Sequence, residues 1–262
     1  MFSMAALVSP RPRDPLLESF DPLDAATLAR LGVLQGTNAL APNETVLSLD
    51  WPELERVLPD RGFPRGVIEI ASPITKQGAM RGGATTIALS AVRAVHAADA
   101  RGWCAWITEA SAPPLYAPAA AQAGVDLERL LVVRPSAADL ARTVVKVASS
   151  GAFDLVIVDA PSGLDGRLSI GTGSGTGKRG ASGAGASRAR VDGSVVVRKL
   201  ALAAEEKGTS CIVLTNIFTA RSAPWPVALR MEVERRPEAI AVRVTKDRRG
   251  RASSQHVVRV AC

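Results

Sequence analysis

VIEIASPITKQGAMRGGATT (67–86) carries an apolar run into a glycine-bearing turn and then into the start of a helix. Strand, Gly-rich turn and helix in that order form the context of a phosphate-binding loop, because the free amides of a helix start attract anions. Gly83-Ala84-Thr85-Thr86 opens the helix where a Walker A loop has Gly-Lys-Thr-Thr. A methyl group therefore stands where an ammonium would face the phosphates.

Outward from this stretch the chain alternates strand and helix. VIEIA (67–71) predicts a buried strand, and ATTIALSAVRAVHAADARG (84–102) a helix ending at Gly102. WCAWIT (103–108) and LLVVRP (130–135) read as strands, the second reached through a loop and a helix. SAADLARTVVKVASSG (136–151) reads as a helix with Ser136 as N-cap and Gly151 just past its end. DLVIVDA (154–160) has the unbroken apolar run of a central parallel strand and ends in Asp159, as a Walker B strand does. VDGSVVVRKLALAAEEKG (191–208) predicts a helix and SCIVLTNI (210–217) a strand. MEVERR (231–236) and AIAVRVTKD (239–247) alternate apolar and polar residues, which predicts an antiparallel pair at the sheet edge. The fold class is α/β: a mostly parallel sheet with helices on both faces and a C-terminal antiparallel edge.

Two regions depart from this rhythm. Residues 1–45 are punctuated by prolines, with LDAATLARLGVL (23–34) reading as a short helix on an N-terminal arm; the core domain spans 46–262. Residues 162–190 hold almost no apolar residues and carry seven glycines between 171 and 185, so they read as a flexible insertion. Within it GTGSGTGK (171–178) imitates a phosphate cradle, but Thr172 stands where glycine is needed and Arg179 follows the lysine.

The 262 residues, 47% hydrophobic and 22% charged, suit one large globular domain. The formal net charge of +7 favours an anionic partner, nucleic acid or a membrane surface. Cys104, Cys211 and Cys262 follow no metal-ligand spacing, and no apolar run approaches the roughly 20 residues of a membrane span. A cytoplasmic protein with no membrane role is the expectation. His96 and His256 have no partner spacing and receive no role.

FPRGVIEIA (63–71), GGATTIAL (82–89), WCAWITEA (103–110), GVDLERLLVVRP (124–135) and FDLVIVDAPSGL (153–164) run in the order and spacing of the bacterial RecA core, over roughly 46–247. The chain resembles the ImuA group most closely, RecA-like (P-loop NTPase type) proteins of the SOS mutagenesis cassette whose ATP site erodes. The resemblance implies work in translesion synthesis beside an ImuB-like Y-family polymerase homologue, an error-prone replicative-type polymerase and RecA itself. It also implies residual contacts to ATP and Mg²⁺ through Gly82, Gly83, Thr85, Thr86 and Asp159.

Several positions depart from an active RecA site. Loss of the lysine at Ala84 removes one charged hydrogen bond, worth about 1.5–3 kcal/mol, or one to two decades of nucleotide affinity. Lys76 and Arg81 lie inside a lengthened loop, where either could replace it. The position of the catalytic glutamate is Ala110, with Glu109 one residue early, and Asn216 stands where a glutamine senses the γ-phosphate. Two readings of the loop stand: residual nucleotide binding, or Gly82 and Gly83 serving the turn alone.

The insertion falls at the first DNA-binding loop of the resembled fold, with Arg167, Lys178, Arg179, Arg188 and Arg190 as candidate contacts to single-stranded DNA; a solvated insertion is the alternative. The second such loop is shortened to FTARSAPWPVALR (218–230), in which Trp225 is either an exposed partner anchor or a packed corner. Lys246, Arg248, Arg249 and Arg251 mark a subunit-type interface, a DNA patch or a solvated face. The expected function is a non-catalytic RecA-like scaffold in SOS-induced repair. An active DNA-stimulated ATPase and a simple single-stranded-DNA-binding module are the alternatives.

Overall fold

The computed structural model describes residues 46–73, 83–160, 164, 166–167, 190–218 and 225–260, all within one compact unit that runs from Leu40 to Cys262. The N-terminal arm and its expected helix lie outside the described residues, as do Lys76, Arg81 and Gly82.

The elements are β1 (Val46–Leu47), α1 (Pro52–Glu55), β2 (Phe63–Pro64), β3 (Val67–Ser72), α2 (Ala84–Ala98), β4 (Cys104–Thr108) and α3 (Ala117–Gln122). A 3-10 turn over Leu127–Arg129 leads into β5 (Leu130–Val133), followed by α4 (Leu140–Ser149), β6 (Leu155–Asp159), β7 (Gly166–Arg167) and β8 (Arg190–Val191). The chain continues through α5 (Gly193–Lys207), β9 (Ser210–Asn216), β10 (Leu229–Arg236), β11 (Ala239–Asp247) and β12 (His256–Arg259).

Among the described residues eight strands form the main sheet, in the order β12-β11-β10-β3-β9-β6-β4-β5. From β10 through β5 every neighbouring pair is parallel, and β10–β11 and β11–β12 are antiparallel. The mostly parallel sheet and its C-terminal antiparallel strands match the sequence expectation. The β10–β11 pair is not the edge, however, because β12 closes β11. HVVR is too short to show strand periodicity, and its pairing to β11 supplies what local sequence does not.

Alternation along the strands splits the core in two. Ile68, Ile70, Trp106, Ile157 and Leu214 pack with Ile87, Ala88 and Ala91 of α2. Val67, Val156, Val158 and Val213 pack with Val144 of α4 and Val196 and Leu200 of α5 on the other face. Helices on both faces follow from strands whose side chains are buried on both sides.

Two helix boundaries differ from the sequence reading. Helix α2 stops at Ala98, not Gly102, because Asp99 turns extended and Gly102 donates its amide back to the Asp99 carbonyl. Helix α4 starts at Leu140; Ser136 instead caps the preceding turn, its carbonyl accepting from the amides of Asp139 and Leu140. Helix α5 is capped at both ends, since Asp192 accepts from the Ser194 amide and Gly208 ends it at φ 76°. Among the described residues no helix is long and apolar enough to cross a membrane.

Candidate functional site

Four strands end side by side in polar residues. Ser72 closes β3, Thr108 β4, Asp159 β6 and Asn216 β9. Each lies two residues beyond a member of the core shared with α2 (Ile70, Trp106, Ile157 and Leu214), so all four face that helix. Register places Thr108 beside Asp159 and Ser72 beside Asn216. The crevice outside the carboxyl ends of parallel strands is where such sheets hold ligands.

Ser72 and Thr108 are fully buried, and their hydroxyl oxygens have no hydrogen-bond partner among the described residues. Buried hydroxyls without partners are costly and mark a place where a further polar group would be accommodated.

Gly83 precedes α2 at φ 94°, and no side chain caps the helix start. A Cβ on Gly83 would lie 2.8 Å from Ile240 Cδ1 and 2.9 Å from both Ile240 Cγ atoms. Glycine is thus required twice, by its backbone angle and by the close approach of β11. Ala84, the first helical residue, is fully buried, while Thr85 and Thr86 are half-buried. The helix amides and Asp159 are suited to phosphate and to a divalent cation.

The stretch after β4 is tied down by local hydrogen bonds. Ser111 donates its hydroxyl to Glu109 Oε1, and the Ala110 amide donates to the Pro135 carbonyl at 2.8 Å. Arg134 Nη2 donates to the carbonyls of Ala110 and Ala112, each at 2.7 Å. Asn216 turns its amide oxygen to the Phe218 amide at 3.1 Å, a local turn contact.

The basic insertion has an ordered base. Residues Gly166–Arg167 pair antiparallel with Arg190–Val191, which sets the backbones of Arg167 and Arg190 opposite each other. Leu164, just before, is 2% exposed and packs in the core. Lys178, Arg179 and Arg188 lie outside the described residues.

Trp225 is 6% exposed and packs in the α4–α5 core, so it is the packed corner and offers no surface to a partner. Its carbonyl accepts from Lys246 Nζ at 2.6 Å. The C-terminal cations are largely engaged within the fold. Arg251 pairs bidentately with Asp60, at 2.8 and 2.9 Å, and its Nε donates to Asp247 at 2.8 Å. Arg249 reaches Asp60 at 3.3 Å. Burial pushes the Asp247 carboxyl up, but the hydrogen bond and charge of Arg251 outweigh it and hold the group below its ordinary value. Hydrogen bonds to Asp60 and Asp247 in turn raise Arg251 above its own. Arg248 is lowered, by burial first and then by Arg249 and Arg251.

One cluster escaped sequence reasoning. Glu69 is fully buried within β3, on the face opposite α2; it accepts from Thr215 Oγ1 at 2.6 Å and lies 3.8 Å from Arg230 Nε. The cluster ties β3, β9 and β10 together, and the signal for it was a carboxylate inside the apolar run VIEIA. Cys104 and Cys211 are pushed by burial up to about 12, which leaves both as neutral packing groups.

A family model described as the RecA N-terminal domain matches residues 36–220. The protein RecA of Mycoplasmopsis pulmonis is 35% identical over 106 residues, 39% of this chain and 28% of that protein. The protein RecA of Deinococcus radiodurans is 36% identical over 128 residues, 48% of this chain and 32% of the relative. That of Synechococcus sp. (strain CC9605) is 36% identical over 113 residues, 42% of this chain and 27% of the relative. The matched stretch thus spans about a third or less of each of these relatives. With the model covering well over half of the chain, on a mostly parallel sheet covered by helices on both faces, this protein belongs to the RecA N-terminal domain family.

Proposed function

We propose that this chain is a non-catalytic RecA-like accessory protein of SOS-induced DNA repair and translesion synthesis. It joins an ImuB-like Y-family polymerase homologue, an error-prone replicative-type polymerase or RecA to damaged DNA. The observation that carries this reading is the junction of Gly83 and Ala84. A buried methyl occupies the lysine position, and Ile240 takes up the space beside the glycine. Ala110 and the restrained Glu109 support it further, because a hydrolytic water would lack an orienting carboxylate.

The retained Asp159, with Ser72 and Thr108 beside α2, suits residual binding of Mg²⁺ and ATP. Weak binding without turnover is the expected behaviour. Calorimetric titration with ATP and Mg²⁺, phosphate release with single-stranded DNA, and a pull-down from SOS-induced cells test the reading together. Recovery of a polymerase or RecA with no DNA-stimulated hydrolysis is the expected result. Hydrolysis that rises with single-stranded DNA and disappears in Asp159→Ala would instead establish an ATPase in which Lys76 or Arg81 replaces the lysine.

A second reading, a single-stranded-DNA-binding module, draws on the paired base of the 162–190 insertion. Basic side chains on a Gly-rich loop track phosphates without reading bases. The two readings are compatible, since a scaffold at damaged DNA needs contact with both.

A further inference from the structure

His96 is a buried ionisable group that takes no part in the site at Gly83 and Asp159. It stands in the last turn of α2 and is 6% exposed. Its Nδ1 accepts from the Asp126 amide at 3.3 Å, and its Nε2 is buried with no hydrogen-bond partner among the described residues. An imidazole that accepts at Nδ1 carries its proton on Nε2 and is neutral. The contact ties the end of α2 to the connection between α3 and β5. Val125 of that connection is buried in the core shared with α2.

Arg129 closes the same junction. Its Nη1 donates to the carbonyls of His96 at 3.3 Å and Asp99 at 2.9 Å, and its Nε donates to the Asp126 carboxylate at 2.7 Å. The Arg129 hydrogen bond holds the Asp126 carboxyl below its ordinary value, so Asp126 is charged throughout the range in which a histidine titrates. Burial, and after it the Arg129 charge, hold His96 below its ordinary value; the Arg129 backbone and the Asp126 carboxylate act the other way and are outweighed. Cys104 of β4 is neutral. Arg93 and Asp99, from the same end of α2, are turned to the Leu49 carbonyl and the Arg101 amide.

We infer that His96 is an acid-released latch between α2 and the connection that feeds β5. A proton on Nδ1 meets the Asp126 amide donor to donor, so that hydrogen bond must open for the imidazolium to form. The Asp126 carboxylate is the nearest anion, but its oxygens already accept from Arg129 and from the Glu128 amide. It serves the imidazolium only by giving one of these up. The junction therefore has two arrangements, closed on a neutral imidazole and open on a charged one. The folded value lies below the unfolded one. The latch's contribution is thus complete above about pH 6.5 and is lost as pH falls from there through the folded value. The inference is independent of nucleotide, DNA or partner binding.

The chain has two histidines, so nitrogen-resolved NMR of the full chain separates them, with exposed His256 as the internal reference. At about pH 7.5 His96 should carry its proton on Nε2. Below about pH 6.5 the exchange protection factor of the Asp126 amide should fall by up to about tenfold per pH unit, following the His96 titration. That of Ile157, in the central strand β6, should hold. His96→Asn sets an amide oxygen near the place of Nδ1 and cannot be protonated there, so Asp126 should stay protected and its protection should become flat with pH. His96→Leu should leave Asp126 unprotected throughout. The wild-type readouts decide the matter even where a variant fails to fold. A proton on Nδ1 at about pH 7.5, protection that ignores the His96 titration, a parallel loss at Ile157, or pH dependence that persists in His96→Asn would overturn the inference.

Discussion

Gly83→Ala isolates the question of what the glycine is for. Two costs follow from the structure. The residue sits at φ 94°, in the left-handed region, where a Cβ costs about 1–2 kcal/mol. The added methyl would also lie 2.8–2.9 Å from Cδ1, Cγ1 and Cγ2 of Ile240. No single rotation of Ile240 clears all three atoms, so the strand or the helix start must shift. Overpacking of this kind costs about 1–3 kcal/mol, for a total of about 2–5 kcal/mol. Urea denaturation of the full chain reads the value without nucleotide or DNA.

A double-mutant cycle with Ile240→Ala then separates the two costs. Ile240→Ala alone should lose about 2–5 kcal/mol as a buried large-to-small change. It removes all three clashing atoms, so the pair should recover the packing part, a coupling of about 1–3 kcal/mol, while the backbone part stays. A Gly83→Ala loss below about 1 kcal/mol, or a coupling near zero, would refute the packing account and return the glycine to a phosphate-loop role.

Other consequences are simpler to state. Ala84→Lys should raise ATP affinity by about one to two decades if the ammonium reaches a phosphate, yet leave phosphate release flat because Ala110 still lacks a carboxylate. Asp247 has a folded-state value below its unfolded one, so its contribution is present above about pH 4 and is lost as pH falls through the lower folded value. Asp247→Asn should therefore weaken the acid limb of a stability-against-pH curve, and a curve unchanged below pH 4 would contradict the assignment. Arg251→Leu, which strips a guanidinium from Asp60 and Asp247, should cost about 2–3 kcal/mol in the same denaturation assay. If all five basic residues of the insertion contact single-stranded DNA, the log–log salt slope should be about −3.5, and deleting 168–189, which leaves Arg167 and Arg190, should reduce it to about −1.4 without lowering the melting temperature.

The strand–helix alternation was legible because the central strands are largely apolar runs and α5 ends at a left-handed glycine, Gly208. The boundary positions of Asp159 and Gly83 were legible for the same reason, since local sequence marks both ends. What stayed hidden depends on residues far apart in the chain. The ion pairs of Arg251 reach back 191 residues to Asp60, so a cluster that reads as a basic tail turns out to be a clasp. Trp225 between two prolines offers no local sign of burial, because the core that covers it comes from α4 and α5. The four residues of β12 become a strand only against β11. Helix ends were misjudged where backbone turns compete, as at Asp99 and Ser136, whose hydrogen bonds a propensity reading does not rank.

On the proposed reading, the junction before α2 accounts for how a fold of this family would persist without a working site. In a phosphate-binding loop, glycine lets the backbone approach an anion, and the helix amides gain their partner from it. Here the space beside Gly83 is taken by Ile240 of β11, and Ala84 is buried as a small apolar group. The start of the helix is thus packed against the C-terminal strands of the same chain. Glu69 reinforces the arrangement from the other face by joining β3 to Thr215 of β9 and Arg230 of β10. Packing that holds the junction in the absence of ligand removes the need for nucleotide to order it, which is what a scaffold requires and a nucleotide-gated switch does not. The decisive comparison is therefore between melting curves with and without saturating ATP and Mg²⁺: little change fits a self-supported junction. An upward shift of several degrees would mean that ligand still supplies a substantial share of its stability.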